Sequence, residues 1–175
     1  FENIEEVAAG FDQAGIRYHS VFGFLNESFA GRKQEHSEED VLKGDDELLR
    51  KAENYVKRWH HRNLTTAALG PGSTEDVSQR LFQKIIELAR RLDVSVVTHI
   101  AGWVEIVSRS LEKFQMRDLE YAHSLGFTGK KAIAIHGAWL SEEETRLVAE
   151  TGTKVVHNPV ANMHLGYGIA PVTEM

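Results

Sequence analysis

The sequence contains no cysteine. That excludes a disulfide framework and any thiolate metal site, so a bound metal has to be held by His, Asp, Glu or a modified Lys. It has no excess of basic residues either: 20 Lys and Arg stand against 26 Asp and Glu, for a net charge of −6. A general nucleic-acid or anionic-membrane surface rests on the opposite balance. No apolar run is long enough to cross a bilayer, and no stretch reads as a secretory leader. Neither G-x-G-x-x-G nor G-x-x-x-x-G-K-[ST] occurs, which argues against the open sheets that cradle nucleotide phosphates. What remains, at 175 residues and 42% hydrophobic content, is material for one globular domain. The composition suits a reducing cytoplasm, the expected location.

What the chain does have is a repeated device, a short apolar run that ends in histidine. AIAIH (Ala132 to His136) is too short for a helix and reads as a parallel strand buried on both faces. KVVHNP repeats it, with Val155 and Val156 closed by His157 and the ladder stopped by Pro159. Between them Ser141 and Glu144 can form a capping box, and Thr151–Gly152 supplies the helix stop. VSVVT (Val94 to Thr98) is a third such run, closed by His99. A histidine at the end of a buried strand sits at the carboxyl edge of a sheet, where α/β barrels gather catalytic side chains.

Upstream, the helical pattern of Glu2 to Ala14 precedes a β-rich segment, Ile16 to Phe24, whose interior His19 reads as a core or edge histidine. Asn26 to Asp46 is polar and charged and is expected to be a lid or interface loop, with Glu38–Glu39–Asp40 a solvated face. A helix over Leu48 to Trp59 should end at His60–His61, read as a solvated pair, and Leu64 to Leu69 should be a strand. Glu75 to Leu92 carries the clearest helical periodicity, with Ser73 and Asp76 as its expected cap. Helical segments follow at Trp103 to Leu111 and Arg117 to Leu125. His123 and His164 lack a strand end and are read as surface residues. Strict alternation of strand and helix implies a parallel sheet with right-handed crossovers, an α/β fold.

The pieces VVTHIA (Val96 to Ala101), AIAIHGAWLSEEE (Ala132 to Glu144) and TGTKVVHNPVANMHLGYGIAPV (Thr151 to Val172) resemble the fifth, sixth and seventh barrel strands of the amidohydrolase superfamily. The branch is the one holding cytosine deaminase, S-adenosylhomocysteine deaminase and the triazine chlorohydrolases. More weakly, the likeness reaches back to Ile16. It implies that residues 1–175 are part of one catalytic (β/α)8 TIM barrel, about its strands three to seven, without the first and last. It further implies one divalent metal, zinc with iron as the alternative, that activates water for hydrolysis of a small substrate. By the same resemblance His99 is a metal ligand and His136 contacts the hydrolytic water or the substrate. His157, Asn162 and Trp103 line the substrate pocket. The intact enzyme is expected to be a homo-oligomer.

Two departures from the family pattern matter. Its strand-one His-x-His and strand-eight Asp have no counterpart here, so one ligand stands where a catalytic zinc needs about three. The Glu that deaminases of the branch carry three residues after the strand-five histidine is replaced by Gly102, and glycine cannot transfer a proton. Glu105, one helical turn on, is the available substitute. The expected function is therefore metal-dependent hydrolysis of a non-peptide C–N bond or a C–Cl bond on a heterocycle. The alternative is a non-catalytic relative that keeps the fold to bind a ligand or partner.

Overall fold

The computed structural model of the chain describes residues 3–25 and 38–175, the side chains of 38–43 excepted. Five strands alternate with helices: α1 (Ile4–Gln13), β1 (Tyr18–Phe24), α2 (Glu38–Trp59), β2 (Thr65–Pro71), α3 (Gln79–Leu92), β3 (Ser95–Ile100), α4 (Val104–Phe114), α5 (Asp118–Ser124), β4 (Ala132–His136), α6 (Glu142–Thr151), β5 (Lys154–Val156) and α7 (Pro159–Leu165). The strands form one sheet in the order β1-β2-β3-β4-β5. The pairs β1/β2, β2/β3 and β4/β5 run parallel in register, as the alternation predicts. No helix among the described residues is long and apolar enough to cross a membrane.

The chain packs as two compact units, residues 1–71 with 76–96, and residues 72–75 with 97–175. In the first, β2 contributes Ala67, Ala68 and Leu69, all fully buried, and α3 lays Leu81, Phe82, Ile85, Ile86, Leu88 and Ala89 inward. These positions recur at three and four residues, so one helical face is apolar and the other solvated. The expected cap of α3 is corrected. Ser78 is the N-cap, its Oγ accepting the Leu81 N–H at 3.3 Å, while Ser73 caps only its own turn by accepting the Glu75 N–H. In the second unit Ile100, Ile106, Leu119, Phe127 and Ala134 form the interior. Here α6 opens on the predicted Ser141–Glu144 capping box and stops at Gly152, whose φ of 69° is one that glycine adopts without strain.

Four further expectations change. The connection read as Asn26 to Asp46 is helical from Glu38, and its residues 26–37 lie outside the described residues. The His60–His61 end is only half solvated, because His60 Nδ1 accepts the backbone N–H of Ala67 at 3.1 Å. Strand β3 runs two residues past Thr98, so His99 is its penultimate residue. Strand β5 is three residues long and not buried: Lys154 is exposed and Val156 is 44% exposed. Pro159 not only stops that strand but opens α7 from the first turn, a place where its missing N–H costs nothing.

Candidate active site

Two histidines of the second unit meet. His99 on β3 and His136 at the end of β4 have ring centroids 5.4 Å apart and planes inclined by 28°. Each ring is fixed at Nδ1. The Gly72 carbonyl, on the turn after β2, lies 2.5 Å from His99 Nδ1 and also accepts the His99 backbone N–H at 3.0 Å. A carbonyl can only accept, so His99 Nδ1 carries the proton and the neutral ring presents its lone pair at Nε2. His136 Nδ1 lies 2.7 Å from Asn162 Oδ1 on α7. With the amide so oriented Nδ1 is again the donor, and Nε2 is again the nitrogen left for chemistry.

In β4 the burial alternates, with Ala132, Ala134 and His136 on the buried face. His136 is 6% exposed and has φ 78°, a left-handed conformation that a non-glycine residue keeps only when its surroundings dictate it. Burial holds its imidazole below the usual histidine value. The hydrogen bond with Asn162 works in the opposite direction, and the neighbouring His99, whenever it too is protonated, adds to the lowering. Asn162 is 1% exposed, and its Nδ2 has no hydrogen-bond partner among the described residues.

Gly102 is the place of closest approach. A Cβ there would sit 3.0 Å from His136 Cδ2 and 3.3 Å from Cγ, closer than ordinary van der Waals contact, so the ring would have to give by a few tenths of an ångström. Aromatic rings also lie next to His136. Tyr167 meets His136 edge-on, with centroids 5.4 Å apart, and Trp103 lies 5.0 Å from Tyr167. Of the remaining sequence candidates, Glu105 is exposed on the first turn of α4 and His157 is exposed just after β5. Among the described residues no group of three or more His, Cys, Asp or Glu side chains could hold a metal.

Sequence reasoning missed Tyr167, Gly72 and a buried polar cluster. Asp118, fully buried at the start of α5, accepts the Ala101 N–H at 2.6 Å through Oδ2. Its value is pushed up to about 6, first by burial and next by the nearby Glu144, against the lowering effect of the Ala101 bond. Glu144, 1% exposed, is bound by Arg117 Nε at 2.8 Å and accepts the Ser141 N–H at 2.9 Å. The only hint in sequence is R-D-L-E, which reads as an ordinary helix start.

Asp118 makes stability depend on pH. Between its ordinary 3.8 and about 6 the folded chain holds a proton that the unfolded chain has released. Stability therefore falls as pH rises through that window, by about 3 kcal/mol in all. Asp118→Asn should flatten the trend: urea midpoints at pH 4.5 and 7.5 should differ less than in the wild type. An unchanged difference would show that Asp118 is ionised throughout.

The family profile described as "Amidohydrolase family" matches residues 1–175. The chain is 28% identical over 163 residues to a 5'-deoxyadenosine deaminase of Methanothrix thermoacetophila, covering 90% of this chain and 39% of that protein. It is 32% identical over 131 residues to an 8-oxoguanine deaminase of Pseudomonas aeruginosa, covering 73% and 29%. Among solved structures, an adenosine deaminase from Xanthomonas campestris with bound zinc aligns with TM-score 0.80 and 26% identity over 98% of this chain and 37% of that one. An atrazine chlorohydrolase from Arthrobacter aurescens, complexed with zinc, aligns with TM-score 0.85 at 18% identity, over 98% and 38%, a likeness of fold. The chain thus spans less than two fifths of the length of these curated relatives, and its five β/α units follow the TIM-barrel pattern of the structural neighbours. By the profile that runs from its first residue to its last, the chain belongs to the amidohydrolase family.

Proposed function

We propose that the protein carrying this chain is a metal-dependent hydrolase that breaks a non-peptide C–N bond or a C–Cl bond on a small heterocyclic substrate by attack of water. The observation that supports it most is the His99–His136 pair, two imidazoles on neighbouring strands, each tied at Nδ1 and available at Nε2. Relatives named as deaminases of 5'-deoxyadenosine and 8-oxoguanine, and a neighbour named as an atrazine chlorohydrolase, support the substrate class.

The zinc named in two neighbours supports a divalent cation, zinc ahead of iron. The donor chemistry of His99 fits one: a carbonyl on Nδ1–H fixes tautomer and ring orientation, as the outer partners of metal-binding histidines do. His99 is then one member of a set completed by donors outside the described residues, since a catalytic zinc takes about three protein ligands. A cation bound there would lower the pKa of water towards roughly 7. His136, kept neutral by burial, takes a proton at Nε2 and returns it to the leaving group. In this reading Trp103 and Tyr167, whose rings lie 5.0 Å apart beside His136, and Asn162 and His157 would line the heterocycle's pocket, with Glu105 as a further acid. The same reading expects a homo-oligomeric cytoplasmic enzyme.

His99→Ala should retain less than about a tenth of the wild-type metal by elemental analysis of the full-length protein. Full metal content in that variant would remove His99 from the ligand set. Assay against aminopurines, aminopyrimidines and chlorotriazines then tests the reaction itself, and a metal-loaded protein inert to all three would favour a binding role.

A further inference from the structure

We propose that Asp118, Arg117 and Glu144 are positioning residues that lock together the two turns following His99 and His136 and, through Trp139, hold Tyr167 against the His136 ring. Both turns are held by main-chain groups. Asp118 Oδ2 binds the N–H of Ala101, a non-glycine residue at φ 46° two positions after His99. The carbonyl of Ala101 accepts the Trp139 N–H at 2.8 Å, and that of Ile100 accepts the Gly137 N–H at 3.0 Å. Trp139 is therefore tied to the His99 turn although it lies three residues past His136.

The circuit closes through Arg117. Its guanidinium donates one N–H to the Trp139 carbonyl and another to Glu144 Oε2, the same oxygen that accepts the Ser141 N–H at the head of α6. Asp118 and Arg117 are neighbours in sequence, so one helix start grips the Ala101 turn with a carboxylate and the Trp139 turn with a guanidinium. Trp139 then passes the constraint on. Its indole Nε1–H donates to the Tyr167 carbonyl at 2.5 Å, and a Cβ at Gly168 would lie 3.1 Å from the same nitrogen. Tyr167 is the residue that borders His136 edge-on.

A purely structural cluster would be cheaper if apolar. Asp118 Oδ1 and Glu144 Oε1 are buried with no hydrogen-bond partner among the described residues, a cost that packing alone does not require. Two carboxylates kept under that penalty beside a candidate site are what a stability–function compromise leaves behind.

The proposal rests on the functional reading above for its kinetic arm only. In the full-length protein, Asp118→Ala should lower kcat at least about 10-fold with KM changed less than about threefold, because displaced turns misplace the reacting groups more than they weaken binding. Asp118→Asn, which keeps an oxygen for the Ala101 N–H, should recover most of that loss. Arg117→Lys keeps a charge for Glu144 but loses the two-pronged donor; it should reproduce the same split, and it decides the matter if Asp118→Ala does not fold. An independent readout needs no activity: the Trp139 indole N–H and His136 ring nitrogen resonances should shift in Asp118→Ala and Arg117→Lys and return in Asp118→Asn. Unshifted resonances in Arg117→Lys would overturn the proposal whatever the reaction. Shifted resonances in a protein that hydrolyses nothing would uphold the circuit and discard the hydrolase reading alone.

Discussion

Replacing His136 by alanine should leave the metal in place and lower kcat by about 10²–10⁴-fold, the range that general acid–base catalysis contributes. The expectation follows from where the ring is tied. Asn162 Oδ1 accepts the hydrogen bond from Nδ1–H and leaves Nε2 as the basic nitrogen, while burial, and His99 whenever it too is protonated, make protonation harder than in free histidine. The acid limb of kcat/KM should therefore lie below the ordinary histidine value of 6.5. Asn162→Ala sharpens the test, because its hydrogen bond is the influence that raises the His136 value. That variant should move the acid limb to still lower pH and reduce kcat, since the ring is no longer held in one tautomer. If His136→Ala loses its metal along with its turnover, His136 is a ligand and the division of labour between the two histidines is wrong.

That division could be read in part from sequence. Runs such as VSVVT and AIAI are short, apolar and bounded, so the strands followed from pattern, with His136 ending β4 as expected and His99 one residue short of the end of β3. The five-strand parallel order followed from alternation, and the structure has it. What pattern could not supply were the partners. Gly72 stands 27 residues before His99 and Asn162 stands 26 after His136, and no periodicity relates a backbone carbonyl or an amide to a ring at that distance. Asp118 was hidden for a different reason. At a helix start an acidic residue is expected for its effect on the helix dipole, so local logic explained it fully and gave no cause to look for burial. The stretch from Glu38 was hidden by charge: its polar composition reads as a loop, and composition does not distinguish a loop from the start of a long helix. In β5 the error ran the other way, because two valines look buried until the exposure of Lys154 and Val156 is seen.

Gly102 yields the second large effect, and its sign depends on which reference is chosen. Where deaminases of this branch are expected to carry a glutamate, the chain has no side chain and the His136 ring fills part of the space. A Cβ at position 102 meets Cδ2 at 3.0 Å and Cγ at 3.3 Å. The ring cannot retreat freely, since Asn162 holds Nδ1 and Tyr167 stands edge-on to it. Gly102→Ala should therefore move His136 by a few tenths of an ångström and lower turnover by about 10-fold on every substrate, misplacement of this order being costly. Gly102→Glu brings the same Cβ and also a carboxyl group beside Cδ2, the ring carbon next to Nε2. A departing ammonia needs a proton, and an acid in place is worth roughly 10²–10⁴-fold, more than the displacement costs. Deamination of purines or pyrimidines by Gly102→Glu should therefore exceed that of Gly102→Ala by at least about 10-fold, while loss of chloride, which needs little protonation, should be equally impaired in both. The comparison with alanine isolates the acid from the steric effect, which comparison with the wild type does not. Should the wild type already deaminate such rings efficiently, Glu105 is the next candidate acid, exposed as it is on the first turn of α4. Glu105→Gln with an unchanged rate would leave His136 to carry both proton transfers by itself, and Gly102 would then be the residue that gives its ring the room to do so.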